Sequence, residues 1–437
     1  MNQFTFDSSL KTILIGFMVL GLVCLGLTFA VDDELHTRFW TNYLHNTVFF
    51  TGIAFMSLFI LTAFTTAWAG WHTVVKRVWE AFSLFMVPGL ALLLVVIAGV
   101  VGHFHHLYHW TDAEAVAGDS VLAGKSSFLN AGWYSLGSII IVGIWIFFAW
   151  KVRQLSLDED ANGTTEYKQH HRLRIWSAAF LPIAGFSSAA VIWQWIMSID
   201  AHWYSTLYAW YTGASWFVSA MALTILLVIY LKGKGYFEHV TIEHLHDIGK
   251  YMFAFSIFWT YLWFSQYMLI WYGNVGEETV YFFHRQQNYP VLFYGNLVLN
   301  FVAPFLILMR NDTKRKYGTL VFTSIVVLFG HWLDFFQMIK PGARLTALEA
   351  MAHHAGEHGH EVADAAGHAE MVGGSLPFAM GFTIPGFLEI GTGLGFLALF
   401  AYVVFDRLTK AALLPKNDPY LAESLHHHVE IHEEGGH

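Results

Sequence analysis

Charge is scarce in this sequence. Of 437 residues only 13% are Asp, Glu, Lys or Arg, while 56% are hydrophobic and 17% aromatic; an ordinary soluble protein carries about 25% charged residues. A soluble chain of this length would split into roughly two or three domains, each needing a polar skin. There are too few charges to make those skins, so soluble enzyme folds are excluded. Cysteine is scarcer still: the single Cys24 lies in an apolar run, which excludes intramolecular disulfides, iron–sulfur clusters and thiolate zinc sites. No C-x-x-C-H motif is present, so covalent haem c would have to be carried by a partner. A Walker-type phosphate loop, a helix of regularly spaced arginines and a potassium-filter sequence are also missing.

What the sequence does have is long apolar runs. Crossing a hydrocarbon core of about 30 Å takes roughly 20 apolar residues in a helix. Ten such runs fall near 11–30, 47–69, 82–102, 131–150, 175–197, 209–231, 250–272, 290–309, 318–339 and 378–405. The first is too long for a signal-peptide core and lacks an A-x-A site, so it reads as a retained helix. Alternating the sides of ten spans puts 18 of the 23 Lys and Arg on one side, including Lys76, Arg77, Arg310 and Lys316. The other side receives Arg38, Lys125, Arg285, Lys340 and Arg344. This bias predicts cytoplasmic termini. The chain therefore reads as all-α, one membrane domain over 1–425, with an outer His-rich loop at 340–377 and a cytoplasmic tail at 406–437. In that loop His353, His354, His358, His360 and His368 are irregularly spaced, which suits a solvated loop better than metal capture. The tail triplet at 426–428 reads the same way.

Ionisable groups inside spans are costly and mark function by default. Glu389 falls about eleven residues into the last run, on the order of 16 Å deep and so near the midplane. His331 and Asp334 are spaced i, i+3 and share a helix face. Such a pair can pass protons, because imidazole titrates near neutrality and can take and give at its two nitrogens; it can equally be a structural hydrogen bond. His331 is the one histidine expected at mid-span, so a bis-histidine haem is not expected on this chain. Beyond the third run, His103, His106 and His109 recur every three residues and would share a stripe on a helical continuation. Beyond the fifth, Asp200 and His202 sit in a short connection rich in Trp and Tyr. Those aromatics fit an interfacial belt, whereas a carboxylate and an imidazole there could also accept the protons of a quinol. The connection after the seventh run adds Asn274, Glu277 and Glu278.

Four segments carry a resemblance: Ser198–Tyr208 (SIDAHWYSTLY), Gly249–Gln266 (GKYMFAFSIFWTYLWFSQ), Met268–Glu278 (MLIWYGNVGEE) and Gly330–Asp334 (GHWLD). Together they resemble the NrfD-like membrane subunits of alternative complex III, a bacterial quinol:cytochrome c or quinol:oxidase oxidoreductase, and among these the smaller, ActF-type subunit. The resemblance runs over about residues 1–425 and is weakest near 353–370. It implies ten transmembrane helices, eight of them in two four-helix bundles with two peripheral helices, in the bacterial inner membrane. It implies no redox cofactor on this chain, a quinol (menaquinol) as the nearby substrate, and haem c and iron–sulfur clusters on partner subunits. Those partners would be a second NrfD-like subunit, an iron–sulfur subunit, multihaem and monohaem cytochromes c, small membrane subunits and a terminal oxidase; no nucleic acid is expected. The implied role is a proton pathway, support of a quinol site, or anchoring of the assembly. Carried over residue by residue, the polar positions are Glu389, His331, Asp334, Asp200, His202, Gln266, Glu277 and Glu278 for a proton path, and His103, His106, His109, Asp200 and His202 for a quinol pocket. Two positions depart from the pattern: Ala201 where proline is common, and Gln194 where a carboxylate is expected. A purely structural anchor and an independent transporter, hinted at only by Gly391, Gly393 and Gly395, are the competing readings.

Overall fold

The computed structural model describes residues 3–163, 166–355 and 376–428, with backbone only for 352–355. Among the described residues the chain is helical, and the extended pairing amounts to the isolated bridges Gln3 to Ala412 and Met380 to Ile384. The long helices are α1 (Ser8–Val31), α2 (Thr37–Thr66), α3 (Lys76–Ser83) continuing into α4 (Met86–Val101), and, after the short α5 (Ala113–Gly118) and α6 (Ser120–Lys125), α7 (Ala131–Asn162) and α8 (Lys168–Trp195). They continue as α9 (Leu207–Gly233), α10 (Ile242–Gly273), α11 (Gly276–Asn288), α12 (Pro290–Leu297), α13 (Ala303–Leu308), α14 (Tyr317–Ala355), α15 (Phe387–Leu408) and α16 (Leu421–Leu425). Nine helices among the described residues are long and apolar enough to cross a membrane. Large apolar side chains point outward from them, such as Leu22 at 70% and Phe186 at 83% exposure, as a lipid-facing surface requires. The chain is a polytopic, membrane-type all-α protein. Helix α10 has 32 residues but is not among the nine; its many Trp and Tyr carry polar N–H and O–H groups that lower its apolarity.

Helices α2, α3–α4, α7 and α8 pack on one another, as do α9, α10, α12–α13 and α14, and the two groups meet where α9 lies against α2 and α8 and where α14 lies against α2. Helices α1 and α15 pair outside, against α2 and α3. Their crossing is very close: a Cβ on Gly395 would lie 2.5 Å from the Gly21 Cα, and one on Gly391 would lie 2.4 Å from Cys24 Sγ. Small residues let helices approach this way in lipid. The glycines at 391, 393 and 395 thus form a packing notch in an unbroken helix, not the broken helix a transporter would use.

The first and last described segments of the chain meet at one end of the molecule, where Gln3 Nε2 donates to the Thr409 carbonyl at 2.8 Å. There the C-terminal segment is docked. Asp418 meets Lys76 at 2.5 Å, Ser424 Oγ donates to the Trp71 carbonyl at 2.7 Å, and His427 reaches Asp247 at 2.7 Å. The tail is docked as far as His427.

Several boundaries differ from the sequence expectation, and four of them have an evident cause. Helix α2 begins ten residues before the apolar run, taking in Asn42, His45 and Asn46, each buried; these polar residues face the interior and hide the helix start from hydropathy. Lys76, Arg77 and Glu80 likewise enter α3 because each is neutralised by the others and by neighbouring helices. Helix α14 does not stop at 339: the expected loop at 340–377 is helical through Ala355, across Pro341. Proline removes the N–H that would bond the carbonyl four residues back. Here Arg285 substitutes, its guanidinium donating to the carbonyls of Gln337 and Met338 at 3.3 Å each. His353 and His354 fall on the backbone of that helix, while His358, His360 and His368 lie outside the described residues. Finally, α15 starts at Phe387, so Glu389 is in its first turn and not at the middle of the last span.

Candidate functional site

At the end of the molecule opposite the termini, a cavity of about 310 Å³ is bounded by the connection after α8, by α11 and by the extension of α14. Three ion pairs frame it. Arg285 Nη2 meets Asp200 Oδ2 at 2.9 Å, His109 Nδ1 meets Glu349 Oε2 at 3.2 Å, and His202 Nε2 pairs with Asp119. Glu277 and His284 complete the polar lining. The Arg285–Asp200 pair is packed against α14 beside Pro341: a Cβ on Gly342 would lie within 2.8 Å of the Asp200 carboxylate, so only glycine fits there. The guanidinium lies over the Tyr281 ring at 3.5 Å, and Trp203 stacks on the other face of that ring at 3.9 Å.

Electrostatics distinguish the groups around the cavity. The Glu349 carboxylate raises the pKa of His109 above its ordinary value, favouring imidazolium. The bond from His202 lowers that of Asp119. Burial, reinforced by the Arg285 and Arg344 charges, pushes His284 down to about 3, so it is neutral. Burial pushes the Tyr281 phenol up to about 12. Arg285 remains a cation because Asp200 and its other partners outweigh desolvation.

From this cavity a succession of polar side chains leads into the second helix group. The rings of Tyr281 and Tyr208 are 6.4 Å apart, those of Tyr208 and Tyr211 are 5.9 Å apart, and the Tyr211 hydroxyl donates to Asp334. A water-sized space of about 20 Å³ lies along this stretch, lined by Tyr208, Tyr211, Gln266, Tyr281, Arg285 and Gln337 among others. Asp334 also accepts from Trp259 Nε1 at 3.0 Å. The Ser215 hydroxyl lies within bonding reach of Asp334 and 2.9 Å from His331 Nδ1. His331 and Asp334 are fully enclosed, at 0% and 1% exposure. Gln266 is fixed at the head of the line, its Oε1 accepting from Ser205 Oγ at 2.9 Å and its Nε2 donating to the Leu262 carbonyl at 3.2 Å.

The structure therefore brings together Asp200, His202, His109 and Glu277 at the cavity, with Gln266 beside the smaller space along the polar line and Asp334 and His331 at its inner end. It does not bring in the others. Glu278 is half-buried and not part of the cavity lining. The helical stripe expected for His103, His106 and His109 does not form, because α4 ends at Val101 and His103 takes a left-handed backbone conformation, φ 52°. His103 is exposed, His109 alone of the three turns to the cavity, and His105, off that spacing, is the buried one.

Glu389 belongs to a separate cluster. Arg38 grips it with two bonds at 2.7 and 2.9 Å, Asn42 Nδ2 donates at 3.0 Å, and the Gly386 N–H donates at 2.8 Å. This is a helix N-terminus capped by its own third residue and clamped to α2, not a midplane relay. Nor is His331 the lone buried histidine of the spans: His45 on α2 is at 0% exposure, its Nε2 bonded to the Trp332 carbonyl at 2.9 Å.

Sequence reasoning missed Arg285, Tyr208, Tyr211 and Ser215. A signal for three of them was present, since 208, 211, 212, 215 and 219 are hydroxyl residues at helical spacing, all buried on α9. It also missed the cluster at the termini end, where Glu159, His170 and Asp418 direct ligand atoms to within 4.8 Å of one another. There the Lys76 ammonium, 3.2 Å from Glu159 and 2.5 Å from Asp418, already supplies the cation. No family model matches this chain, and no curated protein matches it.

Proposed function

We propose that this chain is a cofactor-free integral membrane subunit of a bacterial respiratory quinol:acceptor oxidoreductase of the alternative complex III type, and that it provides part of a proton pathway. The observation that supports this reading is the succession of buried polar side chains from the cavity through Tyr281, Tyr208 and Tyr211 to Asp334, Ser215 and His331. Each group in it can both accept and donate a proton, which fixed hydrogen-bonded packing alone does not require. In this reading α10 is a tenth span, the termini end is cytoplasmic, and the cavity faces the opposite side of the inner membrane.

The residues then take definite parts. Asp334 accepts a proton while held by Tyr211 and Trp259, and Ser215 passes it to His331 Nδ1. The imidazole can release another from Nε2. At the cavity, His202 and His109, each backed by a carboxylate, take up or release protons at the water-facing end, and they have the chemistry to receive the protons of a quinol head group of a size that about 310 Å³ admits. Redox centres lie on the partner subunits.

The test is an Asp334→Asn variant of the whole assembly in proteoliposomes. Electron transfer is expected to continue while proton release per electron falls to the amount set free by quinol oxidation alone. Unchanged release would remove the pathway and leave the anchoring role, a reading favoured by the saturated bonding of Glu389 and by the docked tail.

A further inference from the structure

Between α12 and α13, Val298–Val302 forms a π turn. Such a turn widens the helix by one residue, leaves a carbonyl without its usual donor, and is most often found where a helix serves a function. Asn300 lies at its centre with 0% exposure, and neither its Nδ2 nor its Oδ1 has a partner. Its amide rests on the bare backbone of Gly330: a Cβ there would lie 2.2 Å from Asn300 Oδ1. The next residue is His331, whose Nδ1 is taken by Ser215 and whose Nε2 is enclosed and unpaired. A third unpaired group comes from α10. The Trp259 indole stands edge-on to the His331 ring at 5.5 Å. Ser256, one helical turn before Trp259, is buried with a free Oγ.

Three neighbouring helices thus carry buried, unsatisfied polar atoms on the termini side of Asp334. Leaving such groups unpaired is costly, and native interiors rarely do so. A water molecule, which needs two to four polar partners in a buried site, satisfies an amide, a hydroxyl and an imidazole nitrogen at once. We infer that Asn300, Ser256 and His331 Nε2 hold a structural water, and that this water carries the proton line past His331 towards the termini end. The glycine at 330 is required because any side chain would displace the amide. Water binding stands on the packing alone; its relay role rests on the proposed pathway.

The experiment combines a water-resolving map of the intact assembly with an Asn300→Leu variant, a near-isosteric change that removes both amide atoms. A density peak within hydrogen-bonding distance of both Asn300 and His331 Nε2 is expected, absent in the variant, whose proton release per electron falls as in Asp334→Asn. A dry contact, with Asn300 bonded directly to His331, overturns the inference. A bound water whose loss leaves proton release unchanged overturns the relay role if Asp334→Asn is impaired; if Asp334→Asn is also unimpaired, the pathway itself has failed. Should Asn300→Leu not assemble, Ser256→Ala removes one partner at little steric cost, with the same readouts.

Discussion

Arg285 does three things that a surface arginine could not. It neutralises Asp200, repairs the carbonyls orphaned by Pro341, and lies over Tyr281 where the polar line begins. Breaking a buried pair from one side leaves an uncompensated charge, at a cost of about 3–5 kcal/mol. Arg285→Met should accordingly lower the thermal midpoint of the purified protein sharply, and a second change, Asp200→Leu, should recover part of the loss. A double variant as unstable as the single one would mean that the carbonyl bonds, not the ion pair, dominate. Glu389 makes the complementary case. Because four donors saturate it, Glu389→Gln should loosen the contact between α2 and α15 and reduce stability, yet leave proton release per electron unchanged. A fall in proton release with stability intact would restore Glu389 as a relay.

At the scale of elements, the extension of α14 is tied to the loop before α5 by His109 and Glu349. The carboxylate raises the histidine pKa above its usual 6.5, so the bond contributes fully below that pH and is lost as pH rises through the raised value. Hydrogen exchange over 342–351, corrected for intrinsic rates, should be slower at about pH 6 than at about pH 8, and a His109→Gln variant should lose the difference. Equal protection at both pH values in the unchanged protein would show that the pair does not hold the helix. The α1–α15 crossing offers a second check. Gly395→Leu forces the backbones apart, and overpacking of this kind costs on the order of 1–3 kcal/mol, readable as a lower thermal midpoint; an unchanged midpoint would mean that α1 is not packed there.

These elements also show what a sequence can disclose. Hydropathy found the apolar middles of the helices because lipid imposes them directly. It misplaced the starts of α2 and α3, where Asn42, His45, Lys76 and Glu80 are satisfied by partners distant in sequence. It ended α14 at 339 because the donor that carries the helix across Pro341, Arg285, is 52 residues from Gln337. Glu389 was misjudged in depth for a similar reason: apolar residues from 378 onward look like helix, but the helix begins only at Phe387. At the site, Asp200, His202, His331 and Asp334 were legible as polar residues in an apolar setting, and Gln266 only through the resemblance. The hydroxyls joining them were not, since serine and tyrosine in a membrane helix are unremarkable until their neighbours are known.

For the whole molecule, two polar systems coexist at the end opposite the termini. In one, Arg38, Asn42 and the Gly386 N–H saturate the Glu389 carboxylate. The other runs from the Asp200 cavity to His331 and ends in unpaired atoms, the condition a transfer path needs and a scaffold avoids. A single comparison tests that contrast: proton release per electron in proteoliposomes of the assembly carrying Asp334→Asn beside one carrying Glu389→Gln, each normalised to its electron-transfer rate. A drop for Asp334→Asn with an unaltered ratio for Glu389→Gln is the predicted result. Equal ratios in both, matching the unchanged protein, would contradict it and leave this chain a membrane anchor.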